Sequence, residues 1–501
     1  MDAILEGISL SLTIPAILAI IAGIILGQIL GAIPGLTAAM AVALLVPFSL
    51  YFDPWVGIPM MLAMFKGSLF AGALPAILLK TPGTPAASAT VFDGYPMTQT
   101  GQGIKAIKVA LLASVFGDLF STLCLILAAG LLASIAIKFG PPEYVVLTLF
   151  AFIALLSLDS GRAWKGAVAI LLGVIIANIG LDPITGTERL TFGNAELFDG
   201  IGLMPMLIGV LAVSEVFLQM QQPLKDLALR ATTFSTKPED NRVSAAEARE
   251  LLPTLLRSSV IGTVVGALPG LGATIAAFLS YNEAKRTSKK PETFGRGSIH
   301  GVAAPEAGDS AVIGANMIPL LAFGIPGDVA AALILGALLI QGITPGPIAF
   351  RDNVAPIYAI YSSMVLAGLV NYAVGRSIIP LVRHFMRVPR RLLFPAVLIF
   401  AAAGAYAMRG SMFDVQLMFG FAVLGWLMSK FGFPPVSLLL GYILTPILER
   451  AARQSLILAD AMGGWLPFVR ERPILIGLLA VLGFVSVVIF RRRTGIARGV
   501  P

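Results

Sequence analysis

The chain has 501 residues, of which 57% are hydrophobic and only 12% charged, against about 25% charged in soluble domains. That composition excludes an ordinary soluble enzyme and places the chain among polytopic membrane proteins. The net charge of +8 is not a nucleic-acid footprint, because the basic residues sit in short segments between apolar runs, where they set orientation. The single cysteine, Cys124, lies inside an apolar run and can form no internal disulfide. Asp2 and Glu6 precede the first apolar run without a basic stretch, so a retained membrane helix is expected there instead of a cleaved signal peptide.

Residues 8–50 read as two apolar runs joined at Pro34-Gly35, a helical hairpin. Residues 55–80 form a further apolar segment, broken by Thr81-Pro82-Gly83-Thr84-Pro85, and a polar loop is expected from Phe92 through Lys108. Uninterrupted spans follow at 107–137, 142–158, 164–181 and 201–220. From 221 to 257 the chain turns polar, with Pro223, Pro238 and a helix-forming Ala245–Leu252 stretch. The second half opens with a hairpin-like segment over 251–281 around Pro269-Gly270, then a basic loop from Lys285 to Arg296. Another broken segment carries Pro319 and Gly324-Ile325-Pro326-Gly327-Asp328; spans are expected at 354–382, 392–408, 413–430, 434–448 and 473–490.

The two halves repeat one plan. Gly31-Ala32-Ile33-Pro34-Gly35-Leu36-Thr37-Ala38 returns as Gly266-Ala267-Leu268-Pro269-Gly270-Leu271-Gly272-Ala273, and Pro75 to Pro82-Gly83 has the spacing of Pro319 to Pro326-Gly327. The expected division is a first repeat over 1–220, a cytoplasmic linker over 221–250, a second repeat over 251–470, and a final membrane helix with a basic tail over 471–501. Loop charge sets the sidedness. The linker, Arg383, Arg387, Arg390, Arg391 and the tail Arg491-Arg492-Arg493 are basic and read as cytoplasmic, whereas the counterpart of the arginine loop has only Lys138 and Glu143. The acidic loop with Asp182, Glu188, Glu196 and Asp199 reads as outside, and its counterpart near Lys430 as inside. Equivalent loops thus fall on opposite faces. The expected fold is an all-α polytopic membrane protein of two inverted-topology repeats, each with a re-entrant Pro-Gly hairpin and a broken helix.

A Pro-Gly pair cannot continue a helix, and at membrane depth such a break survives only where protein or a water-filled cavity satisfies the freed backbone. Broken segments at matching places in two halves mark the binding site of a transporter. Half-helices starting at Pro34, Pro82, Pro269 and Pro326 would offer free amides to a small anion, together with Gly35, Gly83, Gly270, Gly272, Gly327 and the hydroxyls of Thr37, Thr81, Thr84 and Thr274. Freed carbonyls suit a dehydrated cation such as sodium. Each single break has a plain packing reading as a kink, and only their symmetric placement favours a site. Intramembrane charge costs about 2.5–3.5 kcal/mol per residue and needs a reason. Glu306, Asp309 and Asn316 are candidates for a coupling cation; Asp328 either joins the substrate site or merely caps a helix. Lys66 and Lys80 are candidates to meet a carboxylate, with snorkelling the alternative for Lys80. Asp118 and Asn371 suit hydrogen bonding between helices. With only His300 and His384, no HExxH, no GxxxxGK[ST] loop and no partner for Cys124 as a nucleophile, no enzyme and no cofactor are expected.

The two GxxPG elements, Ile77–Pro85 with Asp93-Gly94-Tyr95-Pro96, Ala304-Pro305-Glu306, Ile318-Pro319-Leu320-Leu321 with Gly324-Ile325-Pro326-Gly327, and Gly342–Pro347 resemble the TctA family, the large membrane subunit of tripartite tricarboxylate transporters. The resemblance implies a multi-pass protein of the bacterial inner membrane with a cytoplasmic C-terminus. It implies secondary import of small carboxylates driven by a sodium or proton gradient, and by analogy with other paired-hairpin transporters an elevator-type motion. Implied partners are a small four-helix TctB-like membrane subunit, a periplasmic TctC-like binding protein and the lipid bilayer, with a homodimer admitted and no nucleic acid. The chain departs from the family pattern at Lys66, Lys80 and Gly308-Asp309. An anion channel or a scaffold subunit without coupled transport is the competing reading.

Overall fold

The computed structural model describes residues 2–33, 36–136, 138–158, 163–221, 235, 237, 240–268, 271–346, 349–350, 354–381 and 390–483. The first half runs α1 (Asp2–Ser11), α2 (Ile14–Gly31), α3 (Ala38–Ser49), α4 (Pro54–Ala71) and α5 (Ala73–Leu79). It continues as α6 (Val91–Gln99), α7 (Gly103–Ala136), α8 (Pro141–Leu158), α9 (Ala163–Ala177) and α10 (Leu203–Met220). The second half opens with α11 (Ala245–Gly266), α12 (Gly272–Thr287), α13 (Ile299–Phe323), α14 (Val329–Ile340) and α15 (Ala355–Ile378). It closes with α16 (Arg390–Arg409), α17 (Met412–Lys430), α18 (Pro435–Ala461), α19 (Trp465–Arg470) and α20 (Pro473–Gly483). Among the described residues the only strands are Gly180–Leu181 and Glu188–Arg189, which pair antiparallel.

Six helices among the described residues are long and apolar enough to cross a bilayer: α2, α4 with α5, α7 as far as Ala128, α10, α15 and α17. Local signals explain where they start. Thr13 and Thr37 cap α2 and α3 by accepting from the amides of Ala16 and Met40. Ser244 and Glu247 form a reciprocal capping box at the start of α11, so the helix begins at Ala245, inside the polar stretch.

Several expectations need correction. The polar loop from Phe92 to Lys108 is instead α6 and the start of α7. Gly94 and Pro96 read as turn residues, but Gly94 lies against Ile77 and buried Asp93 anchors the segment, so tertiary packing overrides propensity. The chain after Pro82 does not resume as a long half-helix; it makes one 3-10 turn, Ala86–Ser88, before α6. The run beginning at residue 8 is split by Thr13 into α1 and α2. The span expected at 434–448 extends as α18 to Ala461, because Glu449 and Arg453 find charged partners.

The chain divides into two compact units, Met1–Ala133 with Met204–Trp426, and Ser134–Leu203 with Leu427–Pro501. Both halves of the sequence contribute to each. In the second unit α8, α9 and α18 pack together. Trp164 meets Phe433 edge-on at 5.6 Å and the Lys165 ammonium donates to the Phe431 carbonyl, so α9 and α18 start side by side. Just past the end of α9, Asp182 accepts from the Ile184 and Thr185 amides at 2.8 and 3.0 Å and joins Arg189 and, midway along α18, Glu449 and Arg453 in one charge network. The Arg453 guanidinium, then those two amides, hold the Asp182 carboxyl well below the usual carboxylate range.

Candidate functional site

All the Pro-Gly elements belong to the first unit. Glycine seams bring the helices that carry them close enough for backbones to touch. A Cβ on Gly23, Gly27 or Gly31 of α2 would overlap the main chain of Met60, Met64 or Ser68 in α4. In the second half a Cβ on Gly262 or Gly266 of α11 would collide with Gly308 or with Val312 and Ala315 in α13. Each hairpin arm therefore lies along the broken helix of its own half.

That packing pairs the breaks two and two. A Cβ on Gly83 would lie 3.0 Å from the Gly31 carbonyl oxygen and 2.9 Å from Gly72, and the Gly83 amide donates to the Gly72 carbonyl at 3.0 Å. In the other half a Cβ on Gly327 would lie 3.2 Å from the Gly266 carbonyl oxygen and would overlap Asn316 Oδ1. The backbone is the same in both copies. Lys80 and Gly324 each end a helix in the left-handed region, at φ 57 and φ 71. Thr81 donates to the Pro75 carbonyl at 3.3 Å as Ile325 does to Pro319 at 3.2 Å. Thr84 then accepts from the Ala87 amide at 3.3 Å, as Asp328 does from Ala331 at 2.8 Å. The hairpin ends match as well: Ala32 donates to Gln28 and Leu36 to Ile33, while Ala267 donates to Thr263 and Leu271 to Leu268.

The interior polar groups sit along α13 and its neighbours. Glu306 is fully buried; its Oε1 accepts from the Thr90 hydroxyl at 2.5 Å and its Oε2 has no partner. Asp309, one turn on, accepts from the Ser310 hydroxyl at 3.0 Å, and Ser310 meets Ser114 of α7 at 2.7 Å. Neither carboxylate has a basic partner among the described residues. Asn316 is fully buried beside Gly327 and within reach of Asp328, yet neither amide atom makes a hydrogen bond of good geometry. Lys66 is differently placed: its ammonium is saturated by Asp118 Oδ1 and Oδ2 at 2.7 and 2.8 Å and by the Met364 carbonyl at 2.8 Å. It ties α4 to α7 and α15 and is not free to meet a substrate, contrary to the expectation for it. Asn371 accepts from Gln28 at 2.8 Å, the helix-to-helix bond expected of it.

Of the other expected site residues, Pro34, Gly35, Pro269 and Gly270 lie outside the described residues. Thr37 is spent as a cap, Thr81 donates to the Leu79 carbonyl at 3.3 Å, and Thr274 is half-buried on α12 near Gly272, itself at φ 68. Lys80 is exposed, with its ammonium 5.8 Å from the centre of the Tyr95 ring. Four residues of the site were not anticipated: Thr90, Ser114, Gly72 and Asp93. Asp93 accepts from the Gly295, Gly297 and Ser298 amides at 2.8–2.9 Å and from the Tyr281 hydroxyl, pinning the segment that leads into α13. Only the Asp93-Gly94-Tyr95-Pro96 run carried a sequence signal for any of them.

A polytopic helical membrane protein with matching, paired helix breaks is the class that these features define. The model of the tripartite tricarboxylate transporter TctA family matches residues 17–440, and the chain belongs to that family. An uncharacterised 52.8 kDa protein in the TAR-I ttuC′ 3′ region of Agrobacterium vitis is 36% identical over 89% of this chain and 87% of its own length. A second uncharacterised protein, in the TAR-II ttuC′ 3′ region of the same organism, is 39% identical over 46% of this chain and 93% of its own. Among solved structures the Eremococcus coleocola manganese transporter aligns over 85% of this chain and 95% of its own at 15% identity, with a TM-score of 0.11, too low to carry an argument.

Proposed function

We propose that the chain is the large membrane subunit of a binding-protein-dependent secondary importer of small carboxylates, built from two inverted-topology repeats. The observation that carries this reading is the pairing of breaks with the same hydrogen bonds at corresponding places in both halves. Such breaks supply the substrate and coupling-ion groups of known secondary transporters. The hairpins around 34–35 and 269–270 are re-entrant from opposite faces. The residues flanking the breaks, from Thr37, Lys80, Thr81, Gly83 and Thr84 to Gly272, Thr274, Gly327 and Asp328, form the substrate region. Glu306, Asp309 and Asn316 handle the coupling cation, sodium or proton. The side-by-side starts of α9 and α18 support placing residues near 165 and 430 on one face, the inner one. The protein lies in the bacterial inner membrane with a cytoplasmic C-terminus, works beside a TctB-like subunit and a TctC-like periplasmic binding protein, moves substrate by an elevator-type shift, and has no catalytic role.

The test is uptake of radiolabelled di- and tricarboxylates into proteoliposomes holding both membrane subunits, with the binding protein outside and sodium and proton gradients imposed separately. Accumulation that collapses when one gradient is removed is the expected result. Flux that merely equilibrates under every gradient would replace the importer by a channel, and no carboxylate flux at all would remove the substrate assignment.

A further inference from the structure

The two breaks share a backbone but not a chemistry. Where the first half has Gly72 and Thr84, the second has Asn316 and Asp328 in the same positions of the repeated geometry. The break at Pro326-Gly327 is reached by the C-terminal ends of α11 at Gly266 and α13 at Phe323, as the first break is by those of α2 at Gly31 and α5 at Leu79, each carrying about half a negative charge, so the Asn316 amide and the Asp328 carboxylate are what set the second break apart. Asp328 spends one oxygen on the Ala331 amide, and no lysine or arginine pairs with it among the described residues. The Asn316 amide is fully buried beside the Asp328 carboxylate, and its Oδ1 accepts no hydrogen bond, a costly condition unless something completes it. Neutral oxygens from Asn316 and Gly266, with a single carboxylate, suit a monovalent cation better than Mg²⁺ or Ca²⁺, which draw on more carboxylate charge or more water.

We infer that the second break is a seat for one monovalent alkali cation of sodium's kind, held by Asn316 Oδ1, the Asp328 carboxylate and the Gly266 carbonyl. The first break, its neutral twin, takes no cation. This rests on the transporter reading and narrows it: the seat is at the Asn316 end of α13, about 10 Å and two turns from Asp309. Gly327 belongs to the seat because any side chain there would displace Asn316 Oδ1.

The test is the thermal midpoint of the purified full chain in detergent, titrated with NaCl, LiCl or KCl against choline chloride at constant ionic strength. The wild type is expected to gain a saturable rise with sodium over choline. Asp328→Thr keeps a helix cap, as Thr84 does in the first half, so its midpoint in choline should match the wild type while its apparent sodium affinity falls at least about tenfold. Asn316→Ala should weaken the response similarly. A full sodium response in Asp328→Thr would overturn the seat; so would a wild type indifferent to every alkali cation. Gradient-driven carboxylate uptake without any alkali-cation response would sink the seat and leave the importer standing. A sodium response lost in Asp328→Thr, with no carboxylate flux under any gradient, would do the reverse.

Discussion

Lys66 and Asp118 are the interior pair whose removal can be followed in numbers. Their side chains are 0% and 2% exposed, and the ammonium uses all three donors on oxygens of α7 and α15. Lys66→Met leaves a carboxylate buried without its cation, and Asp118→Leu leaves the cation without its carboxylate. Breaking such a pair from one side costs about 3–5 kcal/mol, whereas replacing both members by apolar residues of similar volume is often neutral or stabilising. The single variants should therefore lose about 3–5 kcal/mol each, and the double variant should regain most of it, a coupling far above the ~0.3–0.5 kcal/mol of independent sites. At about 2 °C per kcal/mol for a large domain, each single variant should melt some 6–10 °C low when heated in detergent and scored by monodisperse protein remaining. Single losses below about 2 °C, or a double variant equal to the sum of the singles, would refute the argument that the pair is closed and mutually dependent.

Three further outcomes follow from other places in the fold. Gly27→Ala must push Met64 of α4 off α2, so a loss of about 1–3 kcal/mol from overpacking is expected, read as a lower midpoint and poorer recovery of folded protein. Lys80 holds the left-handed conformation at φ 57 that its counterpart Gly324 adopts freely. Lys80→Gly should thus stabilise the chain by about 1 kcal/mol, and if the ammonium meets substrate, uptake KM should rise in the same variant. In the second unit Asp182 titrates lower folded than unfolded. Its contribution is therefore complete above the unfolded value of about 3.9 and is lost as pH falls towards the lower folded value; Asp182→Asn should melt lower near neutral pH and show a weaker acid limb in a midpoint-against-pH profile.

The helix breaks were legible because proline and glycine act locally, and the duplicated Gly31–Ala38 and Gly266–Ala273 strings mark them without any tertiary knowledge. The match between Lys80 and Gly324 was not legible, since a lysine gives no sign of a left-handed backbone. Interior partners were equally hidden. Thr90 meets Glu306, and Lys66 meets Asp118, across distances in sequence that periodicity cannot bridge. The misread stretch from Phe92 to Gln99 shows the converse failure: its Gly-Tyr-Pro looks like a turn, yet packing against Ile77 makes it helical. Contiguous halves were readable from the repeated motifs, whereas the compact units, each drawing on both halves, exist only in space.

The long helices of the first unit cross over between the halves. Gly117 and Ser121 of α7 lie against Ala307 and Gly314 of α13, while Asn371 and Met364 of α15 bond to Gln28 of α2 and Lys66 of α4. Each half thus lends a rod to the other's groove. A chain severed between Gln221 and Ser235 would give two fragments with orphaned grooves, neither able to mature alone. Co-produced, the fragments should reassemble as an obligate heterodimer. A change in the α7 groove would then be repaired from the opposite fragment, as suppressor pairs are in two-gene complexes.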